Sequence, residues 1–259
     1  VADYTARLPQ RMKIVIFSGT TEGRKLSREL AEMGAPVWVC VATEYGKVDQ
    51  GTYPGVKVLA GRRDRDGIAQ LLGTDTLCID ATHPYAEQVT RNIRGAARQT
   101  GTMYKRLLRP ASALPQDCQM AENIPEAVNI LQATSGNVLL TTGAKEVTSF
   151  APLGAERLYA RVLPVESSLA ACRGAGIPAS HIIAIQGPFG VELNVALLHQ
   201  FSIRWLVTKD GGNPGGFAEK LEAARKCGVQ SIVIRRPADH GESYEAVLEF
   251  CKEWITQCR

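Results

Sequence analysis

The feature that most limits what this chain can fold into is a rhythm. A short apolar run leads into a polar or glycine-rich corner and then into a segment of helical periodicity, and the pattern recurs along both halves. In the first half the runs are Lys13–Phe17, Val37–Val41, Val56–Leu59, Thr76–Asp80 and Tyr104–Leu108. Helical periodicity falls at about Glu22–Met33, Asp66–Leu72 and Ala86–Thr100, with Gly34 and Gly101 as C-terminal stops. The runs are β-branched and do not alternate strictly, as expected of strands covered on both faces. A proline-marked stretch, Arg109 to Cys118, then breaks the periodicity and reads as a linker.

The second half restarts with a helix near Pro125–Gln132 and strands at Asn137–Thr141, Arg157–Val162, His181–Ile185, Arg204–Thr208 and Ser231–Arg235. Helices are expected near Ala144–Phe150, Ser167–Arg173, Val191–Gln200 and Gly216–Cys227, and Ser243–Gln257 closes the chain. The pattern predicts an α/β protein of two similar doubly wound, Rossmann-like parallel-sheet domains, with the active site in the cleft between them. The expected boundaries are a tail at 1–11, ending before Met12, an N-terminal domain at 12–112 and a C-terminal domain at 113–259.

Composition excludes several classes. With 45% hydrophobic and 22% charged residues the chain is an ordinary globular sequence, and no apolar run is long enough to span a bilayer. Seven cysteines form an odd set without a C-x-x-C pair, so buried thiols in a reducing, cytoplasmic compartment are expected in place of disulfides or zinc. The histidines are scattered, and no metal site is expected. The net charge of +4 comes without a basic stripe interleaved with aromatics, which argues against nucleic acid. Basic residues instead gather at strand ends: Arg62, Arg63 and Arg65; Lys105, Arg106 and Arg109; Arg235 and Arg236. Such placement suits small carboxylate-rich or phosphate-bearing ligands, with solvated surface charge as the alternative for about half of them. Oligomeric state is not legible in the sequence.

The corners carry the candidate chemistry. Asp80-Ala81-Thr82-His83-Pro84-Tyr85 places polar side chains at a strand's carboxyl end, where open α/β sheets bind ligands, with Pro84 in the first helical turn and Thr82 or His83 near the cap. Ser18-Gly19-Thr20-Thr21-Glu22-Gly23 opens the first helix and offers a phosphate both small residues and helix N–H groups. Glu44 lies 21 residues after Gly23, about where a ribose-binding acid would stand. The alternative is a tight turn capped by Thr20 or Thr21 beside an exposed Glu44. Counterpart corners are Thr141-Thr142-Gly143-Ala144-Lys145 and Gln186-Gly187-Pro188-Phe189-Gly190. The most glycine-rich is Thr208-Lys209-Asp210-Gly211-Gly212-Asn213-Pro214-Gly215-Gly216, with more glycines than a simple connection needs.

In this order the corners resemble those of the precorrin-6A reductases: Ser18 to Arg24, Asp80 to Tyr85, Thr142-Gly143, Gln186 to Phe189, and Thr208 to Gly212 with Gly216 and Glu219-Lys220. Arg235-Arg236-Pro237 also fits, and the likeness runs from about Lys13 to the last helix. The resemblance implies a reductase of cobalamin biosynthesis that uses NADH or NADPH to reduce one macrocycle double bond of precorrin-6A, or of its cobalt form, to the 6B state. Any cobalt would belong to the substrate. The expected cofactor residues are Ser18 to Gly23, Glu44, Thr142, Gly143, Gln186, Gly187, Gly211 and Gly212. Thr82, Arg62, Arg63, Lys105, Arg106 and Arg235 are expected to meet the tetrapyrrole's carboxylate arms, and His83, Tyr85, Lys209, Asp210 or a substrate carboxyl group is expected to deliver the proton. Competing readings are a different dinucleotide-dependent reductase, a nonenzymatic nucleotide-binding sensor and, more weakly, a tetrapyrrole methyltransferase.

Overall fold

The computed structural model describes residues 12–109, 112, 115, 117–211 and 215–257. The chain forms two units: one runs to Pro110 and resumes at Pro237, and the other is Ala111–Arg236.

The first unit contains β1 (Lys13–Phe17), α1 (Thr21–Glu32), β2 (Val37–Val41), α2 (Glu44–Gln50), β3 (Val56–Ala60), α3 (Arg65–Ala69), β4 (Thr76–Asp80), α4 (Glu87–Thr100) and β5 (Met103–Arg106). All pairings are parallel and the strand order is β3-β2-β1-β4-β5. The order reverses between β1 and β4, which leaves the crevice of a doubly wound sheet at their carboxyl ends. Register sets Phe17 beside both Cys40 and Asp80, so the corners after β1 and β4 are neighbours. Successive side chains of β1 divide between two cores. Ile14 and Ile16 pack with Val37, Val39, Leu77 and Ile79 on one face, and Val15 and Phe17 pack with Cys40, Cys78 and Ile93 on the other. Burial of both faces is why these strands read as unbroken apolar runs.

The last helix of the chain, α9 (Tyr244–Gln257), belongs to this unit and not to the second, where the sequence reading had put it. Its Val247, Cys251 and Ile255 complete the core around Ile14, Ile16 and Leu30. The returning chain first pairs with the end of β5: Glu242 N donates to Arg106 O at 2.8 Å and Leu108 N to Glu242 O at 3.0 Å. Gly241 permits that approach, since a Cβ there would lie 2.6 Å from Leu108 Cβ and 2.9 Å from Arg106 O.

The second unit contains β6 (Cys118–Ala121), α5 (Ile124–Gln132), β7 (Asn137–Leu140), β8 (Leu158–Val162), α6 (Glu166–Gly174), β9 (Ile182–Ala184), α7 (Val191–Gln200), β10 (Ile203–Lys209), α8 (Phe217–Lys226) and β11 (Gln230–Ile234). Its parallel sheet runs β6-β11-β10-β7-β8-β9, with the reversal between β7 and β10. Taken from β7 onward this repeats the first unit's order, and β6 is an added edge strand.

Three expectations are corrected. Five strands were expected in each half, and β6 makes the second unit's sheet six-stranded. The strand escapes the sequence because Cys-Gln-Met-Ala is short, mixed in polarity and paired only to β11. The segment Ala144–Leu153 is a run of 3₁₀ turns and not an α-helix; Pro152 lies within it. α4 begins at Glu87 with Ala86 as its cap, so Thr82, His83 and Pro84 precede the helix instead of opening it. Among the described residues, no helix is long and apolar enough to cross a membrane, and six cysteines are free thiols.

Candidate functional site

In the first unit, the two corners at the strand reversal are tied together by Thr20. Its hydroxyl caps α1 by accepting from Gly23 N at 3.2 Å and donates to Ala81 O at 2.9 Å. Gly23 is required by packing, because a Cβ there would fall 2.7 Å from Ser18 Oγ and 2.9 Å from Ala81 Cβ. Ser18 is buried and its hydroxyl faces Gln50 at 3.4 Å. Gly19 differs: a Cβ would meet nothing within 4 Å and its φ is not positive, so neither packing nor backbone conformation asks for glycine. It leaves open space beside the first amides of α1, Thr21 and Glu22, which have no intrahelical acceptor.

A small depression opens at this point, lined by Thr20, Glu22, Thr82, Pro84, Leu108 and Arg109. Glu22 is paired with Arg109 at 2.6 Å, which offsets the carboxylate's charge at the helix start. Glu44 opens α2 just past β2 and is 81% exposed, with Lys47 at 3.9 Å. Thr43 caps that helix, and its lack of an apolar stripe hid α2 from the sequence.

Beneath the depression lies a buried charge network. Asp80 is fully buried, and its Oδ1 accepts from Thr82 N at 3.0 Å, Thr82 Oγ1 at 2.7 Å and Arg106 Nη1 at 3.0 Å. The same guanidinium nitrogen donates to Asp80 O and Thr82 O, while Arg106 Nε reaches Asp239 Oδ2 at 2.8 Å. Arg94 Nη2 donates to the other Asp239 oxygen at 2.6 Å and Arg94 Nε to Tyr104 Oη at 3.1 Å. Burial pushes the Asp239 carboxyl up, but hydrogen bonds from Arg106 and Arg94 and their charges prevail and hold it below its ordinary range. Burial, with the Asp80 charge adding, pushes the Tyr104 phenol well up.

This network corrects one expectation outright. Arg106 is 3% exposed and engaged on Asp80, Thr82 and Asp239, so it fixes the corner and has no surface for a substrate arm. Thr82 presents its hydroxyl to Asp80 and Thr90 while still lining the depression. Lys105 is paired with Glu242 at 2.9 Å and lies over Phe250, and the exposed Arg235 is paired with Glu122 at 2.8 Å. Arg63 turns back to Gly61 O, and Arg62 stays exposed without an ion pair among the described residues. His83 is half-buried and stacked on Tyr85 at 5.5 Å between centroids, with Nδ1 accepting from Tyr85 N at 3.4 Å.

In the second unit, Thr142 and Gly143 follow β7 at the strand reversal. Thr142 Oγ1 is buried without a hydrogen-bond partner, and a Cβ on Gly143 would meet nothing within 4 Å. Lys209 Nζ donates to Glu146 at 2.8 Å. Asp210 is 5% exposed and accepts from Ser112 N at 2.9 Å, Ser112 Oγ at 2.7 Å and Arg236 Nε at 3.1 Å. Ser112 and Arg236 thus hold Asp210 in place at the end of β10. Gln186 and Gly187 are exposed, Gly211 is half-buried, and Gly212 lies outside the described residues.

Sequence reasoning missed Asp239 and Arg94, and gave no role to Arg161 or Lys220. For Arg161 a signal existed: it is a charge within the otherwise apolar run Leu158–Val162. Among the described residues, no three His, Cys, Asp or Glu side chains gather as a metal-ligand set.

Comparison with known proteins gives a consistent result. The family model described as precorrin-6x reductase CbiJ/CobK matches residues 13–252. A cobalt-precorrin-6A reductase of Methanothermobacter thermautotrophicus is 34% identical over 238 residues, covering 89% of this chain and 78% of that protein. One from Priestia megaterium is 32% identical over 254 residues, 95% of this chain and 99% of its own. Among solved structures, CobK precorrin-6A reductase superposes with a TM-score of 0.74 over 95% of this chain and 97% of its own; at 23% identity this likeness shows the fold.

Proposed function

The chain belongs to the precorrin-6x reductase family, CbiJ/CobK, oxidoreductases of cobalamin biosynthesis, and we propose that it reduces one double bond of precorrin-6A, or of its cobalt form, with NADH or NADPH. Cobalt, when present, comes with the substrate.

The observation that carries the cofactor assignment is Gly19, a glycine that the protein's own packing does not require, beside the unpaired amides that open α1. That cradle fits a pyrophosphate, and the buried, unpartnered Thr142 Oγ1 and the open Gly143 offer a second polar corner. Ser18 to Gly23 hold the dinucleotide, and Glu44 accepts a ribose hydroxyl, which favours NADH. When bound, the nicotinamide supplies the hydride. The chain's own part is to bind, orient and exclude water. His83 and Tyr85 orient a carboxylate arm of the macrocycle, with Arg62 and Arg63 as further contacts. Six free thiols among the described residues fit work in a reducing compartment, the cytoplasm.

The test is oxidation of NADH and of NADPH, followed by absorbance, with and without precorrin-6A and its cobalt form. Turnover that requires the tetrapyrrole and yields the 6B product supports the proposal. Cofactor oxidation indifferent to the tetrapyrrole, or no oxidation with either macrocycle, overturns it.

A further inference from the structure

The second unit buries one cation, Lys220, and half-buries another, Arg161, and neither is held in an ion pair among the described residues. Lys220 is 7% exposed, and its ammonium has no hydrogen-bond or ion-pair partner among the described residues. Arg161, on β8, hydrogen-bonds through Nη1 to the neutral amide oxygen of Asn194 at 2.7 Å and lays its guanidinium over the Phe189 ring, 4.9 Å from the centroid. Neither cation has a carboxylate within 4.0 Å among the described residues. Burial first, and the Arg161 charge second, bring the Lys220 ammonium down from 10.5 to about 8, and burial brings Arg161 down to about 10. The carboxylates whose charges reach Lys220 are Glu219 and Asp210, and Asp210 is already engaged with Arg236 and Ser112.

Two loops singled out in the sequence meet here. Asn194 Nδ2 holds Phe189 O at 3.3 Å and Gly190 O at 2.7 Å. Gly216, which precedes α8 in the left-handed region, lies against the Pro188–Phe189 loop: a Cβ there would stand in ordinary contact, 3.4 Å from Pro188 Cβ and 3.6 Å from Phe189 N. Lys220 follows one turn later, its amide bonded to Gly216 O, so it sits in the first turn of a ten-residue helix whose N-terminus adds partial positive charge. Burying an unpaired ammonium beside a guanidinium at a helix N-terminus is strongly unfavourable unless negative charge arrives from elsewhere.

We propose that Arg161 and Lys220, with the first turn of α8, form a subsite for an anionic oxygen group, a carboxylate or a phosphate, that a bound ligand supplies. Which ligand supplies that group rests on the reductase reading; the unpaired Lys220 ammonium does not.

Thermal unfolding of wild type, Lys220→Met and Arg161→Gln, each free and with inorganic pyrophosphate or tricarballylate, tests the subsite itself. Without anion, Lys220→Met should raise the unfolding temperature by roughly 2 °C or more, since a buried unpaired charge is removed at similar volume. The shift produced by at least one anion should fall by half or more in both variants. Turnover then separates the sources: a rise of roughly tenfold in KM for the reduced dinucleotide alone assigns a phosphate, and the same rise for precorrin-6A alone assigns a carboxylate. Anion shifts and both KM values unchanged in the two variants would overturn the subsite, even in an active reductase. A Lys220-dependent anion shift in a protein that leaves precorrin-6A unreduced would uphold the subsite and reject the reductase reading.

Discussion

Gly19 and Gly23 share one corner and are needed for different reasons. A side chain at Gly23 runs into Ser18 and Ala81, whereas one at Gly19 enters open space. Gly23→Ala should therefore destabilise the protein by roughly 1–3 kcal/mol, the usual cost of overpacking, measured by denaturant unfolding. Gly19→Val should unfold as wild type does yet weaken reduced dinucleotide binding by roughly tenfold or more, and unchanged affinity would remove this corner from the cofactor site. His83→Asn is expected to slow single-turnover reduction by about tenfold or less, below the 10²–10⁴-fold of a lost general acid, and to act mainly on macrocycle affinity. A loss beyond about a thousandfold with binding unchanged would make His83 the proton donor. Lys220 adds a pH signature. Its folded pKa lies below its unfolded value, so between pH about 8 and 10.5 the unfolded chain binds more protons and the contribution of this group to stability rises with pH. Below about 8 both states are charged and the cost of burying the ammonium is paid in full. Arg161, Glu219 and Asp210 set this environment, and only Arg161 among them opposes the charge. The difference between wild-type and Lys220→Met unfolding curves should close across that window.

Among the elements, the strands were legible and the ownership of the last helix was not. Continuous apolar runs such as Ile14–Phe17 announce a strand with both faces covered, and each glycine or threonine corner then follows by position. The amphipathic stripe of α9 says that Val247, Cys251 and Ile255 are buried but not against which sheet, because a stripe carries no address. The same blindness affects charges. Arg62 and Arg106 are alike in sequence, and only burial separates an exposed guanidinium from one locked between Asp80 and Asp239. Val247→Asp should accordingly destabilise the β1–β5 sheet. Hydrogen exchange should show lost protection in Ile14–Phe17 and Leu77–Asp80 while Leu206–Lys209 stay protected. Equal loss in both sheets would contradict the assignment of α9.

For the molecule as a whole, the basic residues now divide into structural and available. Arg106, Lys105 and Arg235 have carboxylate partners, while Arg62 has none among the described residues. Macrocycle binding should weaken as salt rises, and Arg62→Gln should reduce that salt dependence, whereas Lys105→Gln should leave it nearly intact. Isothermal titration at several ionic strengths measures both, and binding indifferent to salt would count against carboxylate recognition. The return of the chain at Pro237 also bears on how the protein comes to exist. On a ribosome the segment that makes β1 to β5 emerges first, yet its apolar face toward Ile14 and Ile16, which Leu26 and Leu30 of α1 cover in part, is not closed until Val247, Cys251 and Ile255 have been synthesised. The second unit, uninterrupted in sequence, is complete before that moment. The half that is translated first is thus the half whose core closes last, and until then part of its apolar face stays open to misassociation.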